Sequence, residues 1–233
     1  MRLFVGVTLS AEARAFVDGV RANACSRLPS LPAPTHAAAG GSSIKWVPAA
    51  DFHVTLQYIG AQPESALPGM CAALRAQAEQ MTSFDLQLEG ITCTFRHTRK
   101  PTQKPPPPRV LFVPLVEDDG SKQLCALAGR VTAALKEGGF LRDLKKRDLE
   151  KAFTPHVTIA RVTQSSSAVE TEALLELLKQ DQATTKEDVA PARASFGVDS
   201  IILYETVKLE QGQEYQMREV FRFPQSSHQL AET

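Results

Sequence analysis

Short stretches of alternating apolar and polar residues predict most strands of this chain, and longer stretches with helical periodicity lie between them. Strands are predicted over residues 3–7, 51–58, 84–88, 109–115, 154–161, 199–204 and 219–223, and helices over 10–27, 66–81, 121–137 and 168–179. Ser10 is expected to cap the first helix, and Gly138 with Gly139 to end the third. Strands and helices alternate before further strands follow, which predicts an α+β fold.

Two irregular stretches interrupt this pattern. Residues 28–43 are rich in Pro, Ala, Gly and Ser, and residues 96–108 end in four consecutive prolines. A proline run is extended and cannot donate backbone hydrogen bonds to a sheet. We expect both stretches to be loop insertions within one domain that spans residues 1–233.

The tripeptide His-Val-Thr occurs at 53–55 and again at 156–158, each time inside a predicted strand. Because side chains alternate between the two faces of a strand, His53 and Thr55 share one face, as do His156 and Thr158. Each copy can therefore present an imidazole and a hydroxyl to the same cavity. The copies lie about half the chain apart, which indicates a duplication that produced two similar lobes.

The same alternation assigns the residues that follow the first motif. Gln57 is expected beside His53 and Thr55 on the polar face, whereas Tyr58 is expected on the core face. Tyr58 is therefore left out of the predicted site.

Composition limits the kinds of partner that the chain can bind. Its 233 residues are 43% hydrophobic, and 26 basic residues balance 26 acidic ones. A globular protein without a strong positive field is expected to hold only short nucleic acids or their ends. There is neither a recognisable signal peptide nor a long apolar run, so we expect an intracellular, cytoplasmic protein that does not enter membranes. Its scattered cysteines disfavour structural zinc and a disulfide scaffold.

Two imidazoles that face one cavity can act as a general acid and a general base near neutral pH. Hydroxyls beside them can donate hydrogen bonds to an anion, and together these groups suit in-line displacement at phosphorus without a metal ion. A single strand histidine is more often structural, but the repetition in matching strands favours catalysis. No cofactor or metal site is expected, because His36, His97 and His228 lack carboxylates at ligand spacing and no glycine-rich nucleotide loop is present.

These motifs resemble the two-histidine phosphoesterase superfamily, and within it the RNA 2′,3′-cyclic phosphodiesterases, also called 2′-5′ RNA ligases. The similarity covers most of the chain. Its segments are residues 2–7, residues 46–48 leading into 53–60, residues 108–113, residues 155–161, and residues 203–206 with Gly212 and Tyr215.

The resemblance implies a bilobed, duplicated α+β fold, in which two antiparallel sheets with outer helices enclose a central cleft and each lobe supplies one motif. It also implies hydrolysis of 2′,3′-cyclic phosphate ends of RNA or nucleotides to 2′-phosphomonoesters. His53 would protonate the departing O3′ and His156 would activate water. Thr55 and Thr158 would hold phosphate oxygens, and Arg161 would add a charge-assisted contact. The expected partners are RNA ends or small cyclic nucleotides, bound by a monomer.

Several alternatives stay open at this point. The acid and base roles of the two histidines can be exchanged, and Arg161 falls nominally on the core face unless its strand ends, twists or bulges. The substrate can instead be a 2′-5′ oligoadenylate or an ADP-ribose cyclic phosphate, or the chain can be a binding module without catalysis. The basic residues of the second insertion either follow an RNA backbone or are simply solvated; they are Arg96, Arg99, Lys100 and Lys104.

Overall fold

Nine strands and five helices form the part of the chain that the computed structural model describes, which is residues 1–28, 44–94, 108–149, 151–163, 168–184, 192–209 and 212–225. The strands are β1 (Arg2–Thr8), β2 (Ile44–Trp46), β3 (His53–Ala61), β4 (Phe84–Glu89), β5 (Val110–Pro114), β6 (His156–Val162), β7 (Arg193–Val198), β8 (Ser200–Leu209) and β9 (Gly212–Arg222). The helices are α1 (Ala11–Arg27), α2 (Leu67–Ala78), α3 (Asp119–Glu137), the single turn α4 (Lys146–Leu149) and α5 (Ala168–Thr184).

The strands form two antiparallel sheets. The larger has seven strands in the order β2-β6-β3-β1-β8-β9, with β5 also paired to β6, and the smaller pairs β4 with β7. Helices α1 and α3 pack against strands of both sheets. The predicted α+β fold with two antiparallel sheets and outer helices is therefore confirmed.

The two His-Val-Thr segments lie on neighbouring strands of the larger sheet. Strands β3 and β6 meet through one antiparallel pair, Val54 with Val157, which are the central residues of the two motifs. Both side chains are fully buried in the core that the helices cover. The motifs therefore meet within one sheet instead of facing each other from two sheets, and their polar residues occupy the face opposite the core.

Both motif strands carry a β-bulge three residues after the histidine. In β3, Thr55 and Gln57 pair with consecutive residues of β1, so Leu56 between them has no partner on that strand. In β6, Thr158 and Ala160 pair with consecutive residues of β5, so Ile159 has no partner there. A bulge inserts one extra residue, so that the alternation of faces changes beyond it.

Most elements were predicted within a few residues of their ends. Ser10 caps α1 by accepting a hydrogen bond from the backbone N–H of Ala13 at 3.2 Å, as predicted. Helix α3 ends at Glu137, and Gly139 adopts a φ of 75°, which an L side chain rarely tolerates. Strands β2 and β7 were not predicted, and β8 and β9 are longer than expected. The predicted insertions over 28–43 and 96–108 lie almost entirely outside the described residues.

Two further expectations concern membranes and cysteines. None of the helices in the described ranges is long and apolar enough to cross a bilayer. None of the four cysteines forms a disulfide, in agreement with their scattered positions.

We predict that Gly6→Ala destabilises the protein by about 1–3 kcal/mol, because the new methyl group would overpack the junction of β1 and β3. A Cβ at Gly6 would lie 2.8 Å from the carbonyl oxygen of Val54. The matched control is Gly19→Ala in α1, where a Cβ meets nothing within 4 Å. That change should stabilise the helix by roughly 0.5–1 kcal/mol. Urea unfolding measures both, and equal effects of the two changes would contradict the prediction.

Candidate active site

The two motif histidines are held in the same way by the backbone. Nδ1 of His53 lies 2.7 Å from the carbonyl oxygen of Asp51, and Nδ1 of His156 lies 2.6 Å from that of Thr154. A carbonyl oxygen can only accept a hydrogen bond, so each Nδ1 must carry the proton. In the neutral imidazoles Nε2 is therefore unprotonated and available to accept a proton.

The threonine of the first motif lies beside Nε2 of its histidine. The hydroxyl of Thr55 lies 3.0 Å from Nε2 of His53 and donates to it when the imidazole is neutral. Because β3 and β6 are antiparallel about Val54 and Val157, their register places Thr158 beside His53 and Thr55 beside His156. The structure thus brings the four predicted motif residues together on one face of the sheet.

Three aromatic rings surround His53. The ring centroid of Phe4 lies 4.8 Å from the imidazole centroid, that of Tyr215 lies 5.1 Å away at a nearly perpendicular angle, and that of Tyr204 lies 5.8 Å away. Phe4 also stacks on Tyr204, and these rings form a small apolar cluster with Ile202 on the site face. His53 therefore lies in an apolar environment, although it belongs to a polar motif.

This environment lowers the pKa of His53 to about 4. The main cause is desolvation, which penalises the charged imidazolium, and the hydrogen bond to the carbonyl of Asp51 opposes it. The positive charges of Arg161, His156 and Arg14 lower the pKa further. The second histidine thus contributes to the electrostatic environment of the first.

The environment of His156 differs from that of His53. The ring of Phe112 packs against it with a centroid distance of 4.9 Å. Desolvation again lowers its pKa, the hydrogen bond to the carbonyl of Thr154 raises it, and the charges of Arg161 and Lys151 lower it. In the free protein, desolvation therefore favours the neutral form of both imidazoles.

Arg161 reaches the site face because of the bulge in β6. Beyond Ile159 the alternation of faces shifts by one residue. Ala160, which pairs with Leu111, is therefore buried on the core side, and Arg161, which pairs with Val110, falls on the opposite side. The side chain of Arg161 is exposed, and its charge lowers the pKa of both motif histidines. The prediction for Arg161 required its strand to end, twist or bulge, and β6 contains such a bulge.

The bulge in β3 overturns two assignments made from strict alternation. Gln57 was predicted on the polar face, but its side-chain oxygen accepts a 2.8 Å hydrogen bond from Thr132 of α3, on the helix side. Tyr58 was predicted in the core, but it is 43% exposed and pairs with Phe4, whose ring packs on His53. Both predictions were wrong because a bulge depends on pairing with a distant strand, which local alternation does not contain.

Sequence reasoning missed the residues that surround the histidines. Phe4, Tyr204, Tyr215 and Phe112 come from four different strands, and Arg14 comes from a helix. These four aromatic residues lie in the segments that carry the family resemblance, and alternation in β1 places Phe4 and Gly6 on one face, but neither signal assigned them to the site. Within the described ranges, no group of three or more His, Cys, Asp or Glu side chains is arranged to share a metal ion.

The seven-stranded antiparallel sheet, with its two neighbouring His-x-Thr strands, is the arrangement expected of a two-histidine phosphoesterase. The sequence model of the 2′-5′ RNA ligase superfamily matches residues 29–209, and the chain belongs to this superfamily. An RNA 2′,3′-cyclic phosphodiesterase of Geobacillus stearothermophilus is 27% identical over 204 residues, which is 87% of this chain and 51% of that protein. The chain thus spans about half the length of this curated relative.

Solved structures share the fold at low sequence identity. The protein TT0787 of Thermus thermophilus has a TM-score of 0.63 and 22% identity, over 96% of this chain and 98% of that one. E. coli LigT, solved with 3′-AMP, has a TM-score of 0.60 and 18% identity, over 95% of this chain and 97% of that one. These similarities establish the overall fold.

We predict that Tyr215→Ala raises the pKa of His53 towards 6.5, because removing one ring lets water solvate the imidazolium. The matched change Phe112→Ala should raise the pKa of His156 and leave that of His53 nearly unchanged. Titration of the imidazole ¹⁵N signals by NMR measures both values. If Tyr215→Ala leaves the pKa of His53 near 4, the aromatic surround is not its cause.

Proposed function

We propose that this chain hydrolyses the 2′,3′-cyclic phosphate ends of RNA or of nucleotides to 2′-phosphomonoesters, without a metal ion. The observation that supports this most strongly is the pair of imidazoles presented from adjacent strands, with the Thr55 hydroxyl 3.0 Å from Nε2 of His53. Such a pair can supply one group that deprotonates the attacking water and another that protonates the leaving oxygen on the opposite side of phosphorus.

Each of the two histidines transfers one proton in the proposed reaction. Nε2 of His156 takes a proton from water as the water oxygen attacks phosphorus. The bond from phosphorus to O3′ breaks, and the imidazolium of His53 gives its Nε2 proton to the departing O3′. The product carries a 2′-phosphate and a free 3′-hydroxyl, and the two histidines end with their protonation states exchanged.

Thr55, Thr158 and Arg161 bind the non-bridging phosphate oxygens in this proposal. Neutral hydroxyls and a guanidinium stabilise the negative charge that grows at phosphorus, which lowers the barrier more than it strengthens substrate binding. The anionic phosphate also favours the charged form of His53, which counters the desolvation that keeps it neutral in the free protein.

The relatives support nucleotide and RNA-end substrates. The matching Geobacillus stearothermophilus protein is named as an RNA 2′,3′-cyclic phosphodiesterase, and E. coli LigT has been solved with 3′-AMP and with ATP. Product analysis on a panel that also contains a 2′-5′ oligoadenylate and an ADP-ribose cyclic phosphate separates the substrates within this class.

We predict turnover of a 2′,3′-cyclic nucleotide in excess EDTA, and a loss of about 10²–10⁴-fold in kcat for His53→Ala and for His156→Ala. Each variant removes a proton-transfer group, so substrate binding should change much less. Thr55→Val should lose roughly 10²-fold, because a neutral donor to the phosphate is removed.

The matched control is Thr132→Val, which removes a hydroxyl on the helix side of the sheet. Its activity should stay within about twofold of the unchanged protein, since Thr132 contacts Gln57 and not the site. Sensitivity of turnover to the chelator, or full activity in both histidine variants, would exclude the proposed chemistry.

We predict that His53→Ala and His156→Ala respond differently to the leaving group. A phosphodiester with a p-nitrophenolate leaving group needs little protonation, so the variant without the general acid should regain much of its activity. His53→Ala should therefore be rescued on this substrate while His156→Ala stays impaired. Rescue of His156→Ala instead would exchange the two roles and leave the rest of the proposal intact.

A further inference from the structure

Arg14 on the first turn of α1 binds the backbone turn that precedes His53. Its Nη1 donates to the carbonyl oxygens of Ala49 at 2.5 Å, Ala50 at 2.9 Å and Phe52 at 3.4 Å. Its Nη2 donates to the hydroxyl of Thr8, at the end of β1, at 3.2 Å. One guanidinium therefore joins a helix, a strand end and the short 3₁₀ turn Ala49–Asp51.

The carbonyl that Arg14 does not bind is the one that His53 uses. Arg14 holds the carbonyls of Ala50 and Phe52, on either side of Asp51, and the carbonyl of Asp51 accepts from Nδ1 of His53 at 2.7 Å. Each peptide unit is planar, so hydrogen bonds that hold the units on both sides of the Asp51 carbonyl limit the rotations by which that carbonyl could change direction. That carbonyl in turn determines which nitrogen of His53 carries the proton.

The side chain of Asp51, in the same turn, interacts with strand β9. The Asp51 carboxylate receives a hydrogen bond from the backbone N–H of Tyr215, whose ring packs against His53. Desolvation raises the pKa of Asp51, the Tyr215 hydrogen bond lowers it, Glu214 raises it and Arg14 lowers it. Helix α1 and strand β9 thus both act on the turn that positions the imidazole.

We propose that Arg14 is a positioning residue for catalysis, which orients the carbonyl of Asp51 and thereby keeps His53 with its proton on Nδ1 and its Nε2 towards the substrate. This inference rests on the proposed function and adds a residue to the same site. Loss of Arg14 should therefore slow the chemical step, because displacing a catalytic group by about 1 Å can lower the rate roughly 10²-fold.

The fork shape of the guanidinium is essential to this role. Several planar N–H donors can bind several carbonyls of one turn at once, whereas the ammonium of lysine is a single point charge on a flexible chain. Arg14→Lys therefore keeps the positive charge near the site while losing the simultaneous contacts. It separates the geometric role of Arg14 from its electrostatic one.

We predict that Arg14→Ala and Arg14→Lys both lower kcat on a 2′,3′-cyclic nucleotide by about 10- to 100-fold, with KM changed less than about threefold. In both variants the imidazole ¹⁵N signals of His53 should show a mixture of the two neutral tautomers. The signals of His156 should keep the single tautomer with the proton on Nδ1, because its carbonyl partner belongs to Thr154.

The matched control is Arg21→Ala on the same helix, which removes an ion pair with Asp18 and no contact to the turn. Its kcat and the tautomer of His53 should stay unchanged, even if α1 becomes slightly less stable. A lowered melting temperature in Arg14→Ala with unchanged kcat and a single tautomer would show a purely structural role and overturn the inference. Full recovery of kcat in Arg14→Lys would show that charge alone acts, and would also overturn it.

The tautomer measurement distinguishes this inference from the proposed function. It needs no substrate, so a mixed tautomer in Arg14→Ala supports positioning of the imidazole even if the chain proves inactive on cyclic phosphates. Conversely, turnover that depends on both histidines but not on Arg14 would leave the proposed function standing without this residue.

Discussion

The pairing of Val54 with Val157 between β3 and β6 is the contact on which the candidate site depends. Both side chains are buried on the core face, so the residues on either side of each valine must point to the opposite face. Two apolar residues at the centre of the motifs thus orient two histidines and two threonines. A slip of one residue in either strand would turn its imidazole towards the helices and expose the valine to water.

Local alternation predicted the site as far as the first irregularity in each strand. The faces of both histidines and both threonines follow from the motifs themselves, and the α+β class follows from the periodicity of the elements. Beyond the bulges the prediction failed for Gln57 and Tyr58. Their positions depend on pairing with β1, and pairing between distant segments is not encoded in the spacing of neighbouring residues.

The surroundings of the motifs were also beyond local prediction. Strand β2 is three residues long, and β7 alternates over six residues but contains Ala194 and Gly197, residue types that are depleted in strands. The rings around His53 come from β1, β8 and β9, which the fold alone brings together. A motif can therefore identify the reacting groups, whereas their ionisation depends on residues that no short pattern contains.

The two halves of the site share backbone geometry and differ in packing. Each imidazole donates from Nδ1 to the carbonyl two residues earlier, but three aromatic rings pack around His53 while Phe112 packs on His156. In the proposed reaction, desolvation by the rings keeps His53 neutral in the free protein, and a phosphate in contact with Nε2 would stabilise the imidazolium that the rings disfavour. The proposed function would thus link protonation of His53 to phosphate binding, and a histidine that acquires its proton together with the substrate suits the role of general acid.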